Sequence, residues 1–204
     1  MGVMRVLLCE PNISEGRDLD LVDQVLETVR RTQGIKILHT SSDADHNRSV
    51  FTYLGNPEAV LEATQAMAAA AIARIDMTRH QGSHPRMGAV DVVPFIPVRG
   101  VTTEEAVEIS RRFGRFLGEL GVPVYYYEEA ATRPERRTLP QIRKGQYEAL
   151  EKKLEDPQWE PDEGPFRFNP RAGATVTGVR SPLVAFNVNL QTADRAIADR
   201  IARA

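Results

Sequence analysis

The strongest constraint on the fold is the alternation of short apolar runs with segments of helical periodicity along nearly the whole chain. Residues 3–9 are apolar and rich in β-branched side chains, which predicts a strand, whereas apolar residues recur at helical spacing from Leu19 to Val29. Gly34 predicts the end of this first helix, because glycine is common just after a helix C-terminus. A chain that alternates strands and helices buries its apolar faces by packing helices on a sheet, so the fold class is α/β or α+β.

The same patterns continue to the end of the sequence. The predicted strands are residues 3–9, 35–38, 49–54, 90–97, 122–127 and 183–190. The predicted helices are residues 19–31, 59–75, 102–120 and 147–154, with a last one after Thr192. Asn56 and Pro57 are a typical cap and first-turn residue for the alanine-rich second helix. Pro94 and Pro97 indicate that the strand at residues 90–97 is bent or lies at a sheet edge.

Composition excludes several classes of protein. The 204 residues include 26 basic and 28 acidic side chains, so no global positive field favours nucleic acid. No apolar stretch approaches the ~20 residues needed to span a bilayer, and the N-terminus lacks the pattern of a signal peptide. Cys9, the only cysteine, lies at the end of a predicted core strand and is interpreted as inert packing. We therefore expect a cytoplasmic protein that binds neither nucleic acid nor membrane.

Residues 79–100, RHQGSHPRMGAVDVVPFIPVRG, contain two of the four histidines and lead into a predicted buried strand. His80 and His84 are four positions apart, which on a helix would place both rings on one face. Gly82 and Pro85 argue against a helix at this point, so the two imidazoles are predicted to lie on a shaped loop.

His84 is the stronger candidate for proton transfer, because an imidazole titrates near neutral pH. Arg86 offers a fixed cation beside it, and Asp91 could orient the ring. The alternative is a loop histidine bonded to backbone. His80 follows a predicted helix end, where it would serve as a cap or support.

A second polar cluster precedes the strand at residues 49–54. Its members are Asp43, Asp45, His46, Asn47 and Arg48. They could converge on a pocket, or they could form a turn rich in Asx hydrogen bonds. A metal site assembled from this cluster and the two loop histidines is disfavoured, because close ligand spacing is missing and nearby arginines add positive charge.

Two further segments have the composition of binding regions. The residues between the strand at 122–127 and the helix at 147–154 carry a basic group, Arg133, Arg136, Arg137, Arg143 and Lys144, which is either a solvated surface or a site for an acidic ligand such as a glutamate tail. Residues 156–173 form a long loop with four prolines, and structureless segments of that length in a compact domain are usually functional.

Four long segments resemble the formiminotransferase family, whose enzymes move a formimino group from N-formimino-L-glutamate to tetrahydrofolate. They are CEPNISEG at residues 9–16, DHNRSVFTYLG at residues 45–55, the whole of residues 79–100, and PVYYYEEAA with RRTLPQIRKGQYEAL at residues 123–150. The resemblance covers nearly the whole chain and implies a transferase of histidine breakdown and one-carbon metabolism. It also implies tetrahydrofolate as a co-substrate, with no tightly bound cofactor and no metal.

The resemblance assigns roles to particular residues. The catalytic acid/base of the family's HPRMGA motif falls on His84, and the family's folate-binding loop falls on GPFRFNPRAG. The residues implied to bind substrate are Asp43, Asp45, Asn47, Arg48, Arg86, Gly164, Pro165, Phe166, Arg167, Phe168, Asn169, Pro170, Arg171, Ala172 and Gly173.

Family enzymes carry two similar subdomains in tandem, with the folate tunnel between them. Residues 1–180 correspond to the N-terminal subdomain, and residues 181–204 to one strand and one helix that begin the second. We expect an α+β, ferredoxin-like fold with a β-α-β-β-α-β-type core and helices covering the sheet. The other side of the folate tunnel would come from a C-terminal subdomain, a separate chain or a homodimer. The alternative activities are ATP-dependent cyclisation of 5-formyltetrahydrofolate, or folate binding or assembly without turnover.

Overall fold

The computed structural model describes residues 4–183, 188 and 190–203. The strands are β1 (Val6–Cys9), β2 (Asn12–Ile13), β3 (Lys36–Asp43), β4 (Arg48–Gly55), β5 (Val90–Arg99), β6 (Val124–Glu128) and β7 (Thr175–Val179). The α-helices are α1 (Leu19–Arg31), α2 (Pro57–Arg74), α3 (Thr103–Glu119), α4 (Leu139–Arg143), α5 (Leu150–Lys153) and α6 (Arg195–Ala202). Short 3₁₀ turns lie at Met77–Arg79, Pro134–Arg136, Tyr147–Ala149 and Pro157–Trp159.

The first half of the chain forms a ferredoxin-like unit. β1 and β2 lie end to end between β4 and β5 and are antiparallel to both. β3 pairs antiparallel with β4 at the outer edge, and α1 and α2 connect the strands. The result is a β-α-β-β-α-β unit with its strands in the order β3, β4, β1/β2, β5, which confirms the predicted core.

The second half extends this sheet with parallel strands. α3 leads from β5 to β6, but β7 lies between them and pairs parallel with both. β5 is therefore interior, and the prediction of an edge position was wrong. Its prolines lie where pairing with β1 and β2 is irregular: Pro97 pairs with Leu7 beside a register shift, and Pro94 lies opposite the break between β1 and β2, where its carbonyl accepts from the Glu10 N–H at 3.3 Å.

Side-chain caps fix where the long helices begin. The Asn56 side chain accepts a hydrogen bond from the backbone N–H of Ala59, with Pro57 in the first turn. Thr102 and Glu105 form a reciprocal capping box at α3. These caps confirm the predicted starts of α2 and α3.

The hairpin of β3 and β4 is longer than the sequence predicts. β3 continues to Asp43 and β4 begins at Arg48, so the polar segment between the strands predicted at residues 35–38 and 49–54 shrinks to a turn at residues 44–47. β3 is an exposed edge strand, and its polar residues pair across the ladder, with the hydroxyls of Ser42 and Ser49 2.8 Å apart. Polarity therefore marks solvent exposure of this strand and not the end of it.

Helices cover one face of the sheet, whereas the second face is covered only beside β5, β6 and β7. α1, α2 and α3 pack on one face over a core that includes Val124 and Tyr126. Tyr125 and Tyr127 alternate to the other face, where they meet a smaller cluster that includes Ile142 of α4 and residues of α5. Cys9 is fully buried in the larger core, where desolvation raises the pKa of its thiol to about 12, in agreement with an inert packing role.

The chain after β7 is only partly described. The predicted strand at residues 183–190 includes Val184 to Asn187 and Asn189, which lie outside the described residues. α6 follows, capped by Asp194 and not by the predicted Thr192, and it has no buried residue. In the part of the chain that the structure describes, no helix is both long and apolar enough to cross a bilayer.

Candidate active site

Three loops meet at one end of the sheet, and Asn47 joins them. This buried residue adopts φ 49°, and its side-chain oxygen accepts a hydrogen bond from the Gly16 N–H at 3.0 Å. Its amide group donates to the Gln81 carbonyl at 3.1 Å, and its own carbonyl lies 2.9 Å from His80 Nε2. One asparagine thus holds together the junction before α1, the β3–β4 turn and the histidine loop.

Two glycines allow these loops to touch. A Cβ at Gly82 would lie 2.2 Å from the carbonyl oxygen of His46, and one at Gly16 would lie 2.4 Å from that of Asp43. The carbonyl of Asp45 also accepts from the N–H of Ser83 at 3.0 Å. Backbone therefore packs against backbone here, which no side chain at these two positions would permit.

The ring of His84 is held at both nitrogens. Nδ1 lies 2.7 Å from the carbonyl oxygen of Pro85, and Nε2 lies 2.6 Å from Arg48 Nη1. Both contacts are satisfied when Nδ1 carries the proton and donates to Pro85, while Nε2 accepts from the guanidinium. Burial and then the Arg48 charge lower the pKa of His84 to about 4, so the ring is neutral at physiological pH. A neutral ring with a lone pair at Nε2 has the protonation state of a general base.

The expectation that Asp91 orients an imidazole was wrong. Asp91 is fully buried, accepts a hydrogen bond from the Met87 N–H at 2.9 Å and forms an ion pair with Arg143 of α4. The carbonyl of Pro85 orients the His84 ring in its place.

His80 has a supporting position, as predicted. It is the C-cap of the Met77–Arg79 turn, and its two ring nitrogens contact the Asn47 carbonyl and Arg86 Nε, the latter at 3.1 Å. Burial lowers its pKa. Arg86 is itself buried, and its guanidinium donates to both carboxylate oxygens of Glu148 at 2.6 and 2.9 Å. The interaction links the histidine loop to the segment before α5.

The acidic residues of the polar cluster shape its turn. One carboxylate oxygen of Asp43 accepts from the backbone N–H groups of His46 and Asp45, and these bonds lower the pKa of Asp43. Asp45 contributes its backbone carbonyl, as described above. The predicted Asx-rich turn is therefore present. Of this cluster, Arg48 contacts a ring nitrogen of His84, and the ring of His46 lies beside it with centroids 5.4 Å apart. Over residues 4–183, 188 and 190–203, His, Cys, Asp and Glu side chains form no group of three that could hold a metal.

The loop at residues 164–173 runs along one end of the sheet, from the start of the edge strand β6 to the histidine loop. Gly164 packs against the carbonyl of Val122, before β6, whereas Gly173 pairs with Gly88, within the HPRMGA motif. Asn169 stabilises the loop, accepting from the Ala172 N–H and donating to the Gly121 carbonyl. Between these points a surface groove of about 640 Å³ is lined by Glu151, Leu154, Glu155, Phe166, Arg167, Phe168 and Pro170. The structure thus joins one end of the predicted folate loop directly to the histidine loop.

The predicted basic surface is only partly a surface. Arg136 is fully buried, donates to the carbonyls of Gln158 and Glu160 and lies over the rings of Tyr125 and Trp159. Arg143, as noted, pairs with a buried carboxylate. Arg136 links the proline-rich segment to the sheet, and Arg143 links α4 to β5, so interpreting all five basic residues as solvated or ligand-binding was wrong.

Sequence reasoning missed Glu148 as a partner of the histidine loop. It lies 62 positions from Arg86, and its local sequence is that of an ordinary exposed helix residue. A buried arginine demands an acceptor, but only the three-dimensional structure shows which one it has.

The fold and the site together define a ferredoxin-like α+β domain with a neutral histidine and an arginine paired on its loop edge. The model of the formiminotransferase domain, N-terminal subdomain, matches residues 6–180. Glutamate formimidoyltransferase of Streptococcus pyogenes serotype M1 is 47% identical over 200 residues, covering 98% of this chain and 67% of that protein. Formimidoyltransferase-cyclodeaminase of Gallus gallus is 49% identical over 199 residues, covering 97% of this chain and 37% of that protein.

The chain belongs to the formiminotransferase family and contains its N-terminal subdomain. It spans about two thirds of the length of the streptococcal relative and little more than a third of the avian one. A more distant relative, the glutamate formimidoyltransferase of Thermoplasma acidophilum, is 42% identical over 204 residues and is likewise covered to 67% of its length.

Proposed function

We propose that this chain supplies the acid/base residue and one side of the active site of an enzyme that transfers a formimino group from N-formimino-L-glutamate to tetrahydrofolate. The observation that carries the proposal is the neutral ring of His84, whose Nε2 lone pair lies where three loops meet. The names of relatives that are 42–47% identical support the same reaction. Its context would be histidine degradation and one-carbon metabolism. With a single buried cysteine that suits a reducing compartment, we place it in the cytoplasm.

The reaction needs one proton to be taken and then returned. A nitrogen of tetrahydrofolate attacks the formimino carbon, and a new C–N bond forms while the attacking nitrogen loses its proton to His84 Nε2. The tetrahedral intermediate then collapses, the bond between carbon and the glutamate nitrogen breaks, and the imidazolium protonates the leaving amine. One residue acts as base and then acid, and no tightly bound cofactor takes part.

In this proposal the second subdomain forms the other side of the active site. Residues 181–204 would begin the second subdomain, which is supported by an α6 that has no buried residue and carries the apolar Ile197 and Ile201. The rest of that side would come from further C-terminal sequence, a separate chain or a second copy of this chain. The groove beside Phe166 and Phe168 is our candidate for folate contact within this chain.

The test is removal of the imidazole in protein completed by its second subdomain. We expect His84→Ala to lower the turnover of formimino transfer by about 10²- to 10⁴-fold, because one acid/base group is lost. Tetrahydrofolate affinity should change much less. Product formation and folate binding are measured separately, with His39→Ala, an exposed histidine of β3, as the matched control.

Unchanged turnover in His84→Ala would remove His84 from this role. Folate binding without any 5-formiminotetrahydrofolate from the unaltered protein would favour a binding module. Turnover of 5-formyltetrahydrofolate with ATP would favour the cyclisation reaction.

A further inference from the structure

The proton-accepting atom of His84 is already occupied in this structure. Arg48 Nη1 lies 2.6 Å from Nε2, while the Pro85 carbonyl holds the Nδ1 proton. A guanidinium donates hydrogen bonds and cannot accept them, so an imidazolium carrying a proton at Nε2 is incompatible with this contact. His84 can act as a base only after Arg48 moves away.

Arg48 itself is a half-buried cation with spare hydrogen-bonding capacity. Within the described ranges, its side chain finds its only hydrogen-bond partner in the ring of His84 and forms no ion pair. The buried carboxylate whose charge acts on Arg48, Asp91, is taken by Arg143 and by the Met87 N–H. A guanidinium has five N–H donors, and a carboxylate matches two of them in parallel. Arg48 is therefore set to exchange a weak neutral acceptor for an anionic one.

We propose that Arg48 is a substrate-responsive gate on His84: a carboxylate of the glutamate-type substrate draws the guanidinium away from Nε2 and so frees the lone pair for proton transfer. This inference rests on the proposed function and deepens it. It names the group that recognises the acidic substrate and couples that recognition to activation of the base. A substrate lacking the carboxylate would leave the base blocked.

The charges around His84 support the same gate, because they lower the pKa of its ring until a carboxylate pairs with Arg48. The groups facing it are Arg48 from β4, Arg143 from α4 and the His46 ring, whose centroid is 5.4 Å away, together with the Pro85 carbonyl. The cations among them add to burial in lowering the pKa of His84 to about 4. A carboxylate that pairs with Arg48 removes the closest of these repulsions, which raises the pKa and strengthens the base.

The gate is tested by following the pKa of His84 with NMR on the ring carbon, using L-glutamate as the probe. In the unaltered chain we expect the pKa to rise from about 4 toward the ordinary histidine value when L-glutamate is added. Arg48→Met should show the raised value without L-glutamate and no further change with it. Arg17→Met is the matched control, because Arg17 donates to the Ala44 carbonyl of the same turn without contacting His84, and it should behave as the unaltered chain.

An unchanged pKa of His84 in folded Arg48→Met would overturn the gate, as would an L-glutamate response that survives this substitution. If Arg48→Met does not fold, Arg48→Lys keeps the charge but loses the planar fork, and a full L-glutamate response in that variant would contradict carboxylate recognition by the guanidinium. Because this readout needs no turnover, a failure of formimino transfer with an intact pKa response would reject the proposed reaction and leave the gate standing.

Discussion

At the scale of single residues, the free energy of His84 ionisation differs between the folded and unfolded chain. Burial and the Arg48 charge hold its pKa at about 4 in the folded protein, whereas an unfolded histidine titrates near ~6.5. Above the unfolded pKa the ring is neutral in both states. Between the two values the unfolded chain binds the additional proton, so acid favours unfolding.

We therefore expect His84 to stabilise the folded protein near pH 7 relative to pH 4. Lowering the pH from 7 to 4 should reduce the free energy of unfolding of the unaltered protein by about 1 kcal/mol more than that of His84→Gln, because glutamine does not titrate. The shift from ~6.5 to about 4 would correspond to about 3 kcal/mol at ~1.4 kcal/mol per pKa unit, and the expected effect is smaller because solvent screens a half-buried ring. Urea unfolding at a series of pH values measures the difference, and parallel curves for the two proteins would contradict it.

At the scale of the elements, the site depends on how closely the β3–β4 turn and the histidine loop approach each other. The two segments are tied by the carbonyls of Asp45 and Asn47 and by the contact of Gly82 with His46. Apart from the ring of His80, these partners are backbone, and backbone cannot rotate aside as a long side chain can. The position of His84 is thus a property of the loop pair.

Gly82→Ala is expected to separate these two loops. Its Cβ would lie 2.2 Å from the His46 carbonyl oxygen, so the backbone must shift, at a cost of about 1–3 kcal/mol in the free energy of unfolding. The rate of formimino transfer should fall with it. Gly34→Ala is the control, since it introduces strain at φ 84° far from the site and its Cβ meets nothing closer than 3.7 Å. Equal losses of activity in both variants would mean that loop separation is not the cause.

The sequence predicts these elements well where the determinants are local. The caps Asn56 and Thr102 and the breakers around His84 act within a few positions, and the helices and the loop lie where they indicate. The interior placement of β5 was not predicted, because its proline content does not show that β7, much later in the sequence, pairs with it. The acceptors of Arg86 and Arg136 lie far away in sequence, so nothing local distinguishes these buried arginines from solvated ones.

At the scale of the whole molecule, a ferredoxin-like half carries the histidine site and a parallel extension supports it. Both contribute to one sheet, with helices on one face; the segment after β6 covers the other face only beside β5, β6 and β7. α6 stands apart from this arrangement because none of its residues is buried. The stability of the domain therefore depends on residues that precede it.

Deleting residues 191–204 is expected to change the free energy of unfolding by less than about 0.5 kcal/mol, as for exposed surface changes in general. Truncation before β7 should instead abolish cooperative unfolding, because β5 and β6 both lose their shared neighbour. Chemical denaturation followed by circular dichroism compares the two. A large loss of stability on removing α6 alone would show that this helix belongs to the domain.

The place of β7 also orders the assembly of the chain during synthesis. It is the last strand of the sheet to leave the ribosome, yet it must lie between β5 and β6, which emerge long before it. Translation is slow relative to local folding, so the ferredoxin-like half is able to form while β6 still lacks any sheet neighbour. We expect nascent chains in which β6 has emerged from the ribosome but β7 has not to bind chaperones through the tyrosine-rich β6, and to release them once Thr175–Val179 emerges and closes the sheet.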